Sequence, residues 1–143
     1  MLAHVAYRES EVAVNTMLGK KDRMRYTAVP SVIYTNPEVA FVGLTEEAAK
    51  AAGMDVACIS LTMKYSGRYV AENEGGDGIC KLVIDKKNNR LVGVHMIGNY
   101  SSEIIVSAVA MLETEMRIED IKELIFPHPT VCEIIREGIF QYK

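Results

Sequence analysis

Apolar residues recur at three- and four-residue steps from Met1 to Val14, the spacing of one helical face. No Ser, Thr, Asp or Asn precedes this stretch to satisfy its first amides, so it is expected to be a helix cut from a longer chain. Two β-rich runs, Pro30–Thr35 and Val39–Gly43, flank the turn dipeptide Asn36-Pro37 and predict consecutive strands. Thr45 to Gly53 opens on a capping Thr, carries acids in its first turn and stops at Gly, which predicts a short helix. Val56 to Met63 reads as a strand, followed by a polar segment, Lys64–Tyr69, and a loose loop, Glu72–Gly78. Ile79–Ile84 and Leu91–Ile97 are β-rich runs joined by Asp85–Arg90, whose Asn88-Asn89 pair tolerates a tight turn; this predicts a hairpin.

The period then changes. Ile104, Ile105, Ala108, Val109, Met111 and Leu112 fit a buried helix beginning near Ser101 or Ser102. Ile118–Leu124 fits a second helix, and Val131, Ile134, Ile135, Ile139 and Phe140 line a last one. Strands in the middle with helices gathered at the ends predict the α+β class, an antiparallel β-sheet flanked by helices. No internal repeat, low-complexity tract or interdomain linker interrupts the pattern.

A chain of 143 residues can bury roughly two thirds of its unfolded surface, so one core suffices. A formal charge of -3 argues against a nucleic-acid surface. The basic run Gly19–Arg25 lacks interleaved aromatics and reads as a solvated connection. No apolar run approaches the roughly 20 residues of a membrane span, and the N-terminus has no signal-peptide pattern, so a cytoplasmic setting is expected. Cys58, Cys80 and Cys132 are odd in number and widely spaced, which fits neither a disulfide framework nor a zinc site. Reduced, mostly buried thiols and no metal site are expected.

His128 and Glu133 are the close His/carboxylate pair in an otherwise apolar neighbourhood. A carboxylate that accepts the Nδ1 proton fixes the imidazole tautomer and leaves Nε2 free to exchange a proton, which makes a general base. Thr130-Val131-Cys132-Glu133 equally matches a capping box, in which the Glu returns to the cap residue's amide. Pro127 and Pro129 stiffen the backbone around His128, which suits a positioned base and a structural turn alike. His95, in a strand pattern, reads as a packed strand residue, and His4 lies on the first helix. Gly75–Gly78 lacks the following Gly and helix of a dinucleotide fingerprint and reads as a loop.

Several segments together resemble the C-terminal dimerisation domain of the pyridine nucleotide-disulfide oxidoreductases, in their dihydrolipoamide dehydrogenase branch. They are Pro30–Gly43, Gly93–Gly98 with Ser102-Glu103, and His128-Pro129-Thr130 with Glu133. The resemblance implies residues 1–25 as a remnant of the FAD-domain helix and its connection, and residues 26–143 as the interface domain. It implies a homodimer in which each subunit completes the other's active site. His128 is then the acid-base that exchanges a proton with the substrate thiol and the redox disulfide, and Glu133 its orienting acid. FAD and NAD serve the parent protein, a lipoyl-bearing protein is its substrate, and Leu2, Ala3, His128 and Pro129 are residual flavin contacts in the complete dimer. This chain has neither the Cys-x₄-Cys pair nor the Gly-x-Gly-x-x-Gly loop of that chemistry, so alone it is expected to hold no cofactor and to be inactive. Phe126 stands where this branch usually places another histidine, and Cys132 replaces a common serine. Phe126 keeps a glutathione-reductase-like or other disulfide reductase as an alternative, beside a purely structural dimerisation module.

Overall fold

The computed structural model describes residues 2–143. In chain order these form helix α1 (Ala3–Met17), strands β1 (Ser31–Ile33) and β2 (Val39–Gly43), helix α2 (Glu46–Ala51), strand β3 (Val56–Thr62), helix α3 (Gly67–Glu72), strands β4 (Ile79–Asp85) and β5 (Arg90–Ile97), and helices α4 (Ser101–Glu113), α5 (Ile118–Glu123) and α6 (Glu133–Gln141). The strands make one antiparallel sheet in the order β1-β2-β5-β4-β3. This is the α+β arrangement that the hydrophobic pattern predicts.

Period-two alternation puts one apolar set on one side of the sheet. Leu61 pairs with Cys80, Cys80 with Met96, Leu82 with Val94, and Val42 with Val94, and all of these are buried. Helices α4 and α6 cover that side with Ile104, Ile105, Ala108 and Met111 and with Ile134, Ile135 and Ile139. The other side is only partly covered. Phe41 stacks on His95 there, ring centroids 6.1 Å apart, and His95 Nε2 lies 3.0 Å from the Leu44 carbonyl, so His95 is the packed strand residue expected. Lys81 also leaves this side and meets α2. Glu46 accepts from Lys50 at 2.5 Å and from Lys81 at 2.7 Å, and these bonds hold its carboxyl down to about 2.

Most predicted elements fall where the periodicity puts them, and the hairpin turn uses Asn89 at a φ of 54°. Three features differ. The polar segment at Lys64–Tyr69 is not irregular: a 3₁₀ turn at Met63–Tyr65 leads into α3. Ser66 caps that helix by accepting the Tyr69 amide at 3.2 Å, and buried Tyr69 donates its hydroxyl to the Asp77 carbonyl at 3.2 Å. One buried anchor in six residues is too little to show a period. The last helix starts at Glu133, beyond the threonine expected to cap it. Of the three free cysteines only Cys80 is buried, while Cys58 and Cys132 are half-exposed.

The seat of α6 is set by a missing side chain. A Cβ at Gly138 would lie 2.6 Å from Leu82 Cδ1 and 3.2 Å from Leu61 Cδ2, and both leucines are buried. The helix backbone therefore rests directly on the sheet. Gly138→Val is expected to destabilise the chain by about 3 kcal/mol through overpacking, read as a lower urea midpoint. An unchanged midpoint would show that α6 is not seated on this glycine.

Candidate functional site

The turn before α6 is built from two prolines and a threonine. Pro127 and Pro129 fix φ on either side of His128, and the His128-Pro129 peptide is cis. Thr130 Oγ1 donates to the Pro127 carbonyl at 2.8 Å and closes the turn. The Thr130 amide donates to Glu133 Oε2 at 2.8 Å. Val131 and Cys132 then wind tightly, with Ile134 N bonded to Val131 O and Ile135 N to Cys132 O, both at 3.1 Å. Only the returning half of the capping box therefore forms: the threonine hydroxyl donates to the turn and accepts no amide from the helix start.

Glu133 is the hinge between the turn and the imidazole. Its side chain is 16% exposed, against 80% for His128. His128 Nδ1 lies 2.9 Å from Glu133 Oε1 and 3.2 Å from Oε2. The Thr130 amide, foremost, and then the His128 contact hold the carboxyl below its ordinary range, against the opposing effect of burial. An ionised carboxylate only accepts, so Nδ1 carries the hydrogen and Nε2 is left with a free lone pair facing solvent. One carboxylate thus bonds both the amide at the helix start and the imidazole. The arrangement can accept a proton at Nε2 and stabilise the resulting imidazolium.

A groove of about 270 Å³ adjoins the turn, walled by Arg68, Glu72, Tyr100, Pro129, Thr130 and Cys132. Arg68 and Tyr100 both donate to Glu72, and the Tyr100 bond ties α3 to the start of α4. Sequence reasoning passed over these residues, and over Ser66, whose buried hydroxyl donates to the Thr130 carbonyl at 2.9 Å. Their shared signal was weak: polar residues in a stretch without periodicity.

Leu2 and Ala3 lie at the start of α1, and no hydrogen bond joins them to His128 or Pro129 among the described residues; Met1 lies outside those residues. His4 Nε2 sits 2.8 Å from the Pro30 carbonyl. Burial pushes the Cys80 thiol up to about 12, and burial and Glu46 raise that of Cys58. Cys132 Sγ lies 3.5 Å from Ser107 Oγ. Among the described residues no group of three His, Cys, Asp or Glu side chains converges as metal ligands, and no helix is long and apolar enough to cross a membrane.

The family described as pyridine nucleotide-disulphide oxidoreductase, dimerisation domain, matches residues 29–139. The mitochondrial dihydrolipoyl dehydrogenase of Schizosaccharomyces pombe is 36% identical over 97% of this chain and 27% of its own length. That of Geobacillus stearothermophilus is 37% identical over 96% of this chain and 29% of its own length. The chain thus spans under a third of the curated relatives it matches. The HOCl-induced flavoprotein disulfide reductase RclA from Escherichia coli has the same fold, with a TM-score of 0.91 at 22% identity, covering 100% of this chain and 33% of that one.

The depressed Glu133 carboxyl gives a pH signature. A carboxyl lowered on folding stabilises above its ordinary value of 4.5, and that stability is lost as pH falls through the lower folded value. The difference in urea midpoint between wild type and Glu133→Gln is therefore expected to be full at neutral pH and to close in acid. A difference independent of pH would contradict the ionised, doubly bonded carboxylate.

Proposed function

The chain belongs to the pyridine nucleotide-disulphide oxidoreductases, as their dimerisation domain, and we propose that it serves a flavin-dependent dihydrolipoyl dehydrogenase as both subunit interface and carrier of the acid-base. The observation that carries this reading is the His128–Glu133 contact of 2.9 Å, with Nε2 left open on an exposed ring. In the proposed reaction Nε2 removes the proton from a dihydrolipoyl thiol, so that the thiolate can attack the redox disulfide. Glu133 holds the imidazolium in place, and the same atom returns the proton when the exchange runs backwards. FAD and NAD, when bound to the parent protein, supply the two-electron chemistry that this thiol exchange feeds. A positioned general base contributes roughly 10²- to 10⁴-fold in rate.

The residues fit a flavin at the start of α1. Leu2 gives no side-chain cap and no acid lies in the first turn, so the first amides are open to an electron-rich ring. On this basis we propose Leu2 and Ala3 as flavin contacts, and we propose His128 and Pro129, from the family resemblance, as the contacts added in the complete dimer. Helix α1 buries none of its residues and leaves Tyr7, Val14 and Met17 exposed, which supports residues 1–25 as part of a preceding flavin domain and 26–143 as the interface domain. Val106 on α4 and Ile125 beside the turn are 63% and 97% exposed, which supports a homodimer contact next to His128. A lipoyl-bearing protein is the proposed substrate, and a reducing cytoplasm suits three free thiols.

The structural alternative is favoured by the Thr130–Glu133 bond alone and makes the opposite prediction for catalysis. Parent enzyme carrying His128→Ala is expected to lose about 10²-fold or more of its dihydrolipoamide turnover while retaining flavin absorbance. Near-normal turnover would transfer the case to the structural reading. By sedimentation, the 143-residue chain is expected to self-associate and Ile125→Asp to weaken that association; a wild-type chain that stays monomeric at all concentrations would remove the interface assignment.

A further inference from the structure

Ser66 is buried to 1% exposure and comes from the start of α3, 64 residues from its hydrogen-bond partner Thr130. Its single hydroxyl proton has a defined direction. The Tyr69 amide, 3.2 Å away, is a donor, so the oxygen accepts there; the Thr130 carbonyl, 2.9 Å away, only accepts, so the proton points to it. The serine is itself anchored. Its amide donates to the Met63 carbonyl at 3.0 Å, and Met63 and Tyr69 are both buried in the core.

Every polar group of Thr130 is thereby engaged. Its carbonyl is held by Ser66, its hydroxyl by Pro127, and its amide by Glu133. The two peptide planes that meet at Thr130 are fixed from opposite sides, and one of them aims the amide at the carboxylate that orients His128. We propose that Ser66 is a positioning residue for the His128–Glu133 pair, transmitting the rigidity of the sheet core through Thr130 to the imidazole. This deepens the acid-base role proposed above and rests on it.

The test reads the imidazole directly. In the ¹⁵N-labelled 143-residue chain, at alkaline pH where imidazoles are neutral, long-range ¹H–¹⁵N spectra give the ratio of Nδ1–H to Nε2–H tautomer for each histidine. Wild type and the conservative Ser66→Thr are expected to show His128 with Nδ1–H in excess. Ser66→Ala is expected to lower that ratio roughly threefold, the scale of one ordinary hydrogen bond, while His4 and His95 keep theirs. Thr45→Ala, which removes the cap of α2 by freeing the Ala48 amide, is a matched loss of a helix cap away from the site and is expected to leave His128 unchanged. Should Ser66→Ala fail to fold, Ser66→Cys keeps the volume with a weaker donor and is expected to move the ratio in the same direction. A ratio of Nδ1–H to Nε2–H that stays at its wild-type value in either variant overturns the positioning role alone. A wild-type chain without that excess overturns the oriented base, and this inference with it.

Discussion

A carboxylate withdrawn from most of its water at the start of a helix has to collect donors, and Glu133 collects two of different kinds. One is the backbone amide of Thr130, which ties the carboxylate to the turn. The other is the imidazole of His128, which it orients. The helix start, the stiff turn and the open Nε2 all follow from satisfying this one side chain. Ordering the helix start and orienting the imidazole are not alternatives here, because the same two oxygens make both contacts.

What holds Glu133 in place is the sheet. Strands β3 and β4 present Leu61 and Leu82, and Gly138 lets α6 descend onto them until backbone meets side chain. The same core holds Met63 and Tyr69, and so places Ser66 behind the turn. The turn is thus braced from α6 on one side and from α3 on the other. The imidazole stands out from it into solvent.

The sheet was legible because alternation along β4 and β5 leaves a period that needs no knowledge of partners. So was α4, where Ile104, Ile105, Ala108 and Met111 recur at helical spacing. The His128/Glu133 pair was legible as a pair, and the chemistry of its residues allowed two readings that only a geometry could join. Helix α3 was not legible, since Tyr69 is its one buried residue and Ser66 looks like any polar residue in a loop. Nor was the bond from Ser66 to Thr130, because a contact across 64 residues leaves no trace in local spacing. Thr130 misled for a related reason: its hydroxyl donates back to the Pro127 carbonyl, and α6 begins three residues later, at Glu133, with no side-chain cap.

The 80% exposure of the His128 side chain carries a further consequence. At the 2.9 Å separation from Glu133, an imidazolium and a carboxylate attract by about 1.4 kcal/mol in the dielectric of bulk water, and by about 6 kcal/mol at the effective dielectric near a protein surface. A surface that closes over this ring lowers the local dielectric and strengthens that attraction with no change in the turn, against the cost of desolvating both charges. The geometry of the pair is built into one chain, whereas its electrostatic strength is set by the medium that covers it.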